Sequence, residues 1–200
     1  MPSDDTAAPS SQGRTDPALR TSADSAELEL LARHARGDLG AFREIVLRSQ
    51  AELVRYAARV LGSLSEAEDV VQEAYVKAHG ALARGEFHGR SRLRTWLYGI
   101  VTHGAIDALR GGRRRRALHQ RAASEAATEQ GPRAEALLAL QELQDWLAGL
   151  PPEQRTALVL KVIEGHSSRE VAEILGCSEG AVEQRLVRAR AALAAREVPT

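Results

Sequence analysis

Apolar residues recur at helical spacing, every three or four positions, along most of the chain. The predicted helices of the first half are Ala26–Ala35, Asp38 to about Leu61, Ser65 to about Ala83, and Arg92–Arg110. Asp38 and a Ser65–Glu68 capping box are expected to begin the second and third helices, and Gly62 to end the second. No segment has a convincing strand pattern, so the pattern predicts an all-α fold.

A second group of helices is predicted after Pro132. One helix covers Ala134–Ala148, and Pro151–Pro152 begins the next, whose apolar side consists of Ala157, Leu158, Leu160, Val162 and Ile163. Gly111–Gly112 is expected to break the fourth helix, and residues 117–133 have the composition of a linker. We therefore expect a disordered tail over residues 1–24, and then two small helical domains, 25–116 and 134–196, joined by a flexible linker.

Residues 167–190 have the pattern of a helix-turn-helix. Ser167 and Glu170 form a capping box, Gly176 lies where the first helix must end, and Ser178 can cap the second helix. Val182, Leu186 and Ala189 share the buried side of the second helix. Its opposite side carries Glu183, Gln184, Arg185 and Arg188, side chains suited to phosphates and base edges. An ordinary helical hairpin with a solvated face is the alternative.

Charge is distributed unevenly, although the formal net charge is zero. From Arg84 to Arg121 there are ten arginines against two acidic residues, a local charge of +8 that favours a polyanionic partner. Arg113–Arg116 could be a nucleic-acid arm or a solubility feature. Trp96, among these arginines, could stack on bases or belong to the core.

The third predicted helix has a polar face opposite its apolar stripe. Asp69, Gln72, Glu73 and Lys77 form this face. The pattern alone leaves open whether the face binds a partner or is simply solvated.

Catalytic and metal-binding motifs are not found. The six histidines are scattered, the single cysteine Cys177 cannot form a disulfide within the chain, and no phosphate loop or nucleophile elbow occurs. No apolar run is long enough to cross a membrane. We expect a cytoplasmic protein that needs no cofactor or metal and is not an enzyme.

Three strings, in order, resemble the extracytoplasmic-function (ECF) group of bacterial sigma factors. SEAEDVVQEAYVKA is similar to region 2.2, SRLRTWLYGIVTHGAIDALRGGRRRR to regions 2.3–2.4, and LPPEQRTALVLKVIEGHSSREVAEILGCSEGAVEQRLVRARAAL to region 4. The resemblance covers about residues 26–195. It implies a transcription initiation factor that joins core RNA polymerase, recognises a bipartite promoter and assists melting of the DNA.

The resemblance also assigns roles to residues. Asp69, Gln72, Glu73 and Lys77 would bind the clamp helices of the polymerase β′ subunit. The −10 element would be bound by Arg90, Arg92, Arg94, Trp96, His103, Arg110, Arg113 and Arg114, with a flipped base near Phe87–Ser91. The −35 element would be bound by Ser178, Glu183, Gln184, Arg185 and Arg188. Further implied partners are the polymerase β flap and, as in many members of the group, an anti-sigma factor, although no residue here identifies one.

Two positions depart from the group's pattern. His103 stands where many members have asparagine, with Asp107 and Arg110 kept. Glu183 stands where lysine or arginine is frequent, and a carboxylate there could accept from a cytosine amino group. The rival hypothesis is a free-standing DNA-binding regulator that uses the C-terminal helices alone and senses a ligand with its N-terminal domain.

Overall fold

The computed structural model describes residues 17–119 and 142–195, and all regular elements in these ranges are helical. The first four helices are α1 (Pro17–Ala35), α2 (Leu39–Leu61), α3 (Leu64–Ala83) and α4 (Leu93–His119). Residues 142–148 are helical as well. They precede α5 (Pro152–Leu158), a π-helical turn (Val159–Ile163), α6 (Ser168–Leu175) and α7 (Glu179–Ala194). The predicted all-α fold class is confirmed.

The N-terminal half is organised around α2, which packs along α3 and also contacts α4. At its centre the hydroxyl groups of Tyr56 and Thr102 share a buried hydrogen bond of 2.7 Å, and the Tyr56 ring lies 5.0 Å from that of Tyr98. Burial raises the pKa of Tyr56, so its hydroxyl stays protonated. Gly104 lets α4 approach α3 closely, because a Cβ atom there would lie 3.1 Å from Val70 Cγ1.

Local signals set both ends of α2 as predicted. Asp38 accepts a 2.8 Å hydrogen bond from the backbone N–H of Gly40, and Gly62 ends the helix with a left-handed φ of 76°. The predicted capping box of α3 is wrong. Ser63, rather than Ser65, is the N-cap, and it accepts from the backbone N–H of Glu66, so α3 begins at Leu64.

This correction predicts opposite effects for two neighbouring serines. Ser63→Ala should lower the free energy of unfolding by about 1 kcal/mol, the usual cost of losing an N-cap side chain. Ser65→Ala, inside the first turn, should leave stability unchanged or slightly raised, because alanine is the best helix former. Urea unfolding of the two variants checks this. The reverse order of stabilities would restore Ser65 as the cap.

The first helix starts earlier than predicted. The structure begins α1 at Pro17 rather than Ala26, so residues 17–24, which the composition assigned to a disordered tail, are helical. Proline is favoured at the first helical position, and the alanines and leucine that follow have high helix propensity even without an apolar stripe. Residues 1–16 of the predicted tail lie outside the described residues.

The fourth helix continues where a break was predicted. It passes through Gly111–Gly112 and ends at His119, so the expected domain boundary at residue 116 falls inside α4. Each glycine costs about 1 kcal/mol in a helix interior, but neighbouring arginine, alanine and leucine residues favour the helix. Most of the predicted linker, residues 120–133, lies outside the described ranges.

A π-helical turn changes the register after α5. The N–H groups of Glu164 and His166 donate to the carbonyls of Val159 and Leu160, both at 3.0 Å, and the Glu164 bond spans five residues instead of four. The extra residue rotates the end of the helix. Val162 is therefore 59% exposed, although its spacing had placed it on the apolar side.

The two halves of the described chain are in contact. One cluster of buried apolar side chains extends from Leu30 in α1 to Ala189 in α7. In the structure α6 and α5 pack against α4, and the π-helical turn touches α2. Two domains tethered by a flexible linker were predicted, and a shared core was not.

Candidate nucleic-acid interface

The outer face of α3 presents the side chains that the sequence selected. Asp69, Gln72, Glu73 and Lys77 are all exposed, while Val71, Ala74, Tyr75 and Ala78 are buried on the opposite side. Val76 lies among the polar residues and is 75% exposed. Single exposed apolar side chains are common on protein surfaces, so the charged and polar groups remain the distinguishing feature of this face.

The loop between α3 and α4 places part of the predicted −10 set together. Arg90 and Arg92 are exposed, and the half-buried Trp96 ring lies 5.0 Å from the Phe87 ring. His103 is exposed one helical turn beyond Gly99, whose carbonyl lies 2.6 Å from His103 Nδ1. Cations beside a pair of aromatic rings suit unpaired bases and their phosphates.

Trp96 and His103 line a cleft of about 570 Å³ between α3, α4 and α6. Arg84, Glu86 and Asp107 also line it, so its walls carry both signs of charge. Among its described lining residues, Trp96 and His103 are the ones with aromatic rings.

Two arginines of the predicted −10 set already form ion pairs with carboxylates of other helices, so their charges are neutralised. Arg94 pairs with Glu52 of α2 and lies 5.6 Å from the centre of the Tyr98 ring. Arg110 donates to Glu153 of α5 at 2.5 Å. The side chains of the remaining two, Arg113 and Arg114, lie outside the described residues. Of the six members whose side chains the structure describes, four are therefore outside these two ion pairs: Arg90, Arg92, Trp96 and His103.

The helix-turn-helix has the predicted local structure. Ser167 accepts from the Glu170 N–H at 3.2 Å, while the Glu170 carboxylate accepts from the Ser167 N–H at 2.8 Å, which completes the capping box. Gly176 ends α6 with a left-handed φ of 61°. Ser178 caps α7 by accepting from the Ala181 N–H at 3.2 Å.

The proposed reading side chains share the outer face of α7. Glu183, Gln184 and Arg188 are exposed and Arg185 is half-buried. Two of them are held by neighbours: Ser168 Oγ donates to Glu183 at 2.6 Å, and Arg185 Nη1 donates to Cys177 Sγ at 3.3 Å. The structure thus presents these side chains on one surface with two of them preoriented.

Sequence reasoning missed the residues that join the two halves. Arg155 is only 4% exposed and donates from Nη1 to the carbonyl of Val60 at 3.0 Å. The sequence does contain a sign that Arg155 is buried. Arg155 follows Pro152 by three residues and precedes Val159 by four, so it lies on the same side of the helix as these two buried residues. An arginine on the apolar side of a helix indicates that it has a buried polar partner, but the pattern does not identify that partner.

The buried His166 makes stability depend on pH. Its side chain is 6% exposed and its ring lies 4.9 Å from that of Tyr98. The charged and titratable groups around it are Glu52, Arg94, Tyr98, Glu164 and Glu170. Burial, and then the charge of Arg94, lower the pKa of His166, while the three carboxylates oppose this effect.

Because the pKa of His166 is lower in the folded chain, the unfolded chain takes up the proton more readily. The neutral imidazole therefore supports the fold fully above the ordinary histidine pKa, about 6.5, and this support falls as the pH falls through that value. In urea unfolding at pH 7.5 and 5.5, wild type should lose more stability than His166→Gln. Parallel losses would contradict the assignment.

Each half of the chain matches a known protein family. Residues 45–115 match the family described as Sigma-70 region 2, and residues 140–193 match the one described as Sigma-70, region 4. Within residues 17–119 and 142–195, no helix has the length and apolarity needed to span a membrane. The same part of the chain contains no group of three or more histidine, cysteine, aspartate or glutamate residues arranged for a metal ion.

Relatives resemble the chain over most of its length. The RNA polymerase sigma-H factor of Pseudomonas aeruginosa is 34% identical over 176 residues, which covers 82% of this chain and 90% of the relative. The ECF RNA polymerase sigma factor SigM of Mycobacterium tuberculosis is 34% identical over 168 residues, covering 84% and 83%.

Solved structures of two other proteins are similar to this chain over most of its length. CnrH, solved with the cytosolic domain of CnrY, is 30% identical with a TM-score of 0.62, covering 85% of this chain and 96% of CnrH. RpoE, solved with the anti-sigma factor NepR from Bartonella quintana, is 27% identical with a TM-score of 0.57, covering 76% and 93%. The order of the two regions, their helical structure and these relatives lead to one conclusion: the chain belongs to the ECF group of the sigma-70 family of RNA polymerase sigma factors.

Proposed function

We propose that the protein binds core RNA polymerase, directs it to −10 and −35 promoter elements and promotes melting of the DNA. The observation that carries this function is the presence of regions 2 and 4, in that order, within one chain. The exposed polar faces of α3 and α7 give each region a surface for its partner.

The α3 face is the proposed site for the clamp helices of the β′ subunit. Asp69, Gln72, Glu73 and Lys77 are exposed, and within the described residues Asp69, Glu73 and Lys77 form no ion pair. Their charges are therefore available to a partner, and Val76 supplies an apolar contact at the centre of the face. Region 4 is proposed to contact the β flap.

The loop before α4 and the first turns of that helix are the proposed −10 site. Arg90 and Arg92 would hold the phosphates of an unpaired strand, while Trp96 stacks on a base. Extracting a base from the duplex costs a few kcal/mol, which stacking and phosphate contacts must offset. Arg94 and Arg110 can join only if their ion pairs with Glu52 and Glu153 open.

The outer face of α7 is the proposed −35 reader in the major groove. Arg185 and Arg188 suit guanine or phosphate, and Gln184 suits adenine. Ser168 orients the carboxylate of Glu183, which can accept from a cytosine amino group. We therefore expect a −35 element in which a cytosine faces Glu183. Ser178 uses its oxygen as a cap acceptor, so its hydroxyl proton remains for a phosphate.

We further propose that the chain catalyses no reaction itself, needs no cofactor and acts in the cytoplasm, beside the polymerase. An anti-sigma factor is a proposed regulator, supported by the similarity to RpoE, which was solved with the anti-sigma factor NepR.

Co-purification separates this function from that of a free-standing regulator. The full chain should bind core polymerase and should bind promoter DNA tightly only together with it. A regulator would instead dimerise and bind a palindrome without polymerase. Mobility shifts with and without core enzyme, combined with light scattering of the free chain, distinguish the two. Tight palindrome binding by a free dimer would contradict the proposal.

The arginine block of α4 should control the salt dependence of promoter binding. Replacing Arg113–Arg116 by glutamine should reduce the slope of log affinity against log salt by up to about 3, because fewer counterions are released. A matched variant replaces four exposed arginines, Arg43, Arg48 and Arg55 of α2 and Arg36 of the turn before it, and should retain the slope. Equal slopes in both variants and wild type would make the block a solubility feature.

A further inference from the structure

Two histidine rings lie against each other where α1 meets α3. His34 is in the last turn of α1 and His79 is in α3, and their ring centroids are 5.3 Å apart at an interplanar angle of 67°. Among the described residues, this is the one pair of histidine rings in contact. The surfaces proposed to bind DNA and polymerase include neither ring.

The His34 ring is buried with one nitrogen unsatisfied. Its side chain is 8% exposed, and Nδ1 has no hydrogen-bond partner within the described residues. A buried polar atom without a partner costs stability, so such atoms in native proteins usually have a hydrogen bond or a ligand. Burial, and then the neighbouring His79, lower the pKa of His34. The ring is therefore neutral at pH 7 and can offer a nitrogen lone pair.

The separation of the two rings fits a metal ion held between them. An imidazole nitrogen binds Zn²⁺ at about 2.0–2.1 Å, which places the ring centroid about 3.2 Å from the ion. Two such rings at the tetrahedral angle of about 109° have centroids about 5.2 Å apart. The observed centroid separation of 5.3 Å agrees with this geometry.

Neighbouring contacts hold the pair in place. Arg33, next to His34, donates to Asp38 at 2.8 Å and pairs with Glu44 of α2 at 3.3 Å, so two carboxylates balance the arginine charge beside the site. Phe42 of α2 packs against both histidines, with centroid distances of 5.6 and 4.9 Å. Ligands that are fixed before an ion arrives lose less conformational entropy when they bind it.

The site is open on the side of His79. This residue is half-buried, so an ion can approach it from solvent. Within the described residues, no third histidine, cysteine, aspartate or glutamate completes a metal-binding group. The other coordination positions of an ion here belong to water or a small anion, and binding should be weaker than at a closed four-ligand site.

We propose that His34 and His79 form a two-histidine site for a late first-row divalent metal ion, which links α1 to α3. Imidazole suits Cu²⁺, Ni²⁺ and Zn²⁺, whereas Mg²⁺ and Ca²⁺ prefer oxygen ligands. The expected affinity is highest for Cu²⁺. This inference goes beyond the proposed function and is independent of it.

Thermal unfolding tests the site on the full-length chain, purified without a histidine tag. At pH 7.5, Zn²⁺ at about 100 times its Kd should raise the Tm by about 5–10 °C, and Mg²⁺ should not. His79→Gln should lower the Zn²⁺ affinity, measured by titration calorimetry, at least about tenfold, because the second ligand no longer binds intramolecularly. His88→Gln, which removes one exposed histidine elsewhere, is the matched control and should bind Zn²⁺ as wild type does.

Electron paramagnetic resonance with one equivalent of Cu²⁺ counts the nitrogen ligands. Wild type should show hyperfine coupling from two imidazole nitrogens. His34→Phe, which keeps an aromatic ring against Phe42, should lose one of them.

Three results would overturn the inference: no change in the Tm of wild type at up to about 1 mM Zn²⁺, equal Zn²⁺ affinities of wild type and His79→Gln, or a Cu²⁺ spectrum that His34→Phe leaves unaltered. Each would show that the two rings are only packed together. If one of these variants unfolds, judged by circular dichroism, the other is used for both measurements.

Discussion

Replacing Asp69 and Glu73 by arginine is expected to weaken binding to core RNA polymerase by at least about tenfold, because like charges opposed across an interface cost several kcal/mol. Both side chains are exposed on α3, and their replacement removes no side-chain hydrogen bond or ion pair within the described residues. Exposed substitutions usually change stability by less than about 0.5 kcal/mol, so the fold should persist. Affinity is measured by titrating labelled protein with core enzyme.

A matched variant distinguishes a specific face from a general effect of charge. Glu29→Arg combined with Glu142→Arg makes the same change in net charge at two exposed positions away from α3. This control should bind core enzyme as wild type does. Unchanged affinity in the Asp69 and Glu73 variant would show that the α3 face is only solvated.

Replacing Arg185 by alanine is expected to reduce binding to promoters with an intact −35 element by roughly 5- to 150-fold. A bidentate contact from arginine to guanine is worth about 1–3 kcal/mol of discrimination, and the half-buried Arg185 is preoriented by Cys177. Binding is measured as holoenzyme on promoters with native and scrambled −35 elements. The variant should discriminate between them less than wild type does.

The control for this prediction is Arg190→Ala, an exposed arginine on the same helix outside the proposed reading set. It should retain the preference for the native element. Both variants should bind core polymerase normally, because the main proposed polymerase site is on α3. Loss of core binding by the Arg185 variant would contradict the division of roles between the two regions.

Features encoded within a few residues were predictable from the sequence. The capping box of Ser167 and Glu170, the left-handed Gly176 and the cap at Ser178 involve neighbours at most four positions apart, and each has the predicted geometry. Their energies are local, so a sequence pattern contains the information that sets them.

Features that depend on small differences in propensity were predicted less well. The choice between Ser63 and Ser65 as cap, and the continuation of α4 through Gly111–Gly112, are each decided by about 1 kcal/mol. The π-helical turn that exposes Val162 belongs to the same class, because one inserted residue changes the register of a whole turn.

Contacts between distant parts of the chain were not predictable. Arg94 and Arg110 were correctly placed on α4, but their partners Glu52 and Glu153 are 42 and 43 residues away. Arg155 and its carbonyl acceptor are 95 residues apart. Periodicity identifies which face of a helix is buried, but not which other helix buries it. The closed arrangement of the two halves was therefore accessible only from the structure.

Run-off transcription with purified core RNA polymerase is the most direct test of the proposed function. Core enzyme alone should produce no defined transcript from a promoter of this factor, and addition of the full chain should yield a discrete product that begins at one position. The template comes from mapped transcript starts in cells that overproduce the protein. Core enzyme that initiates with another sigma factor, but never at a defined position with this chain, would contradict the account.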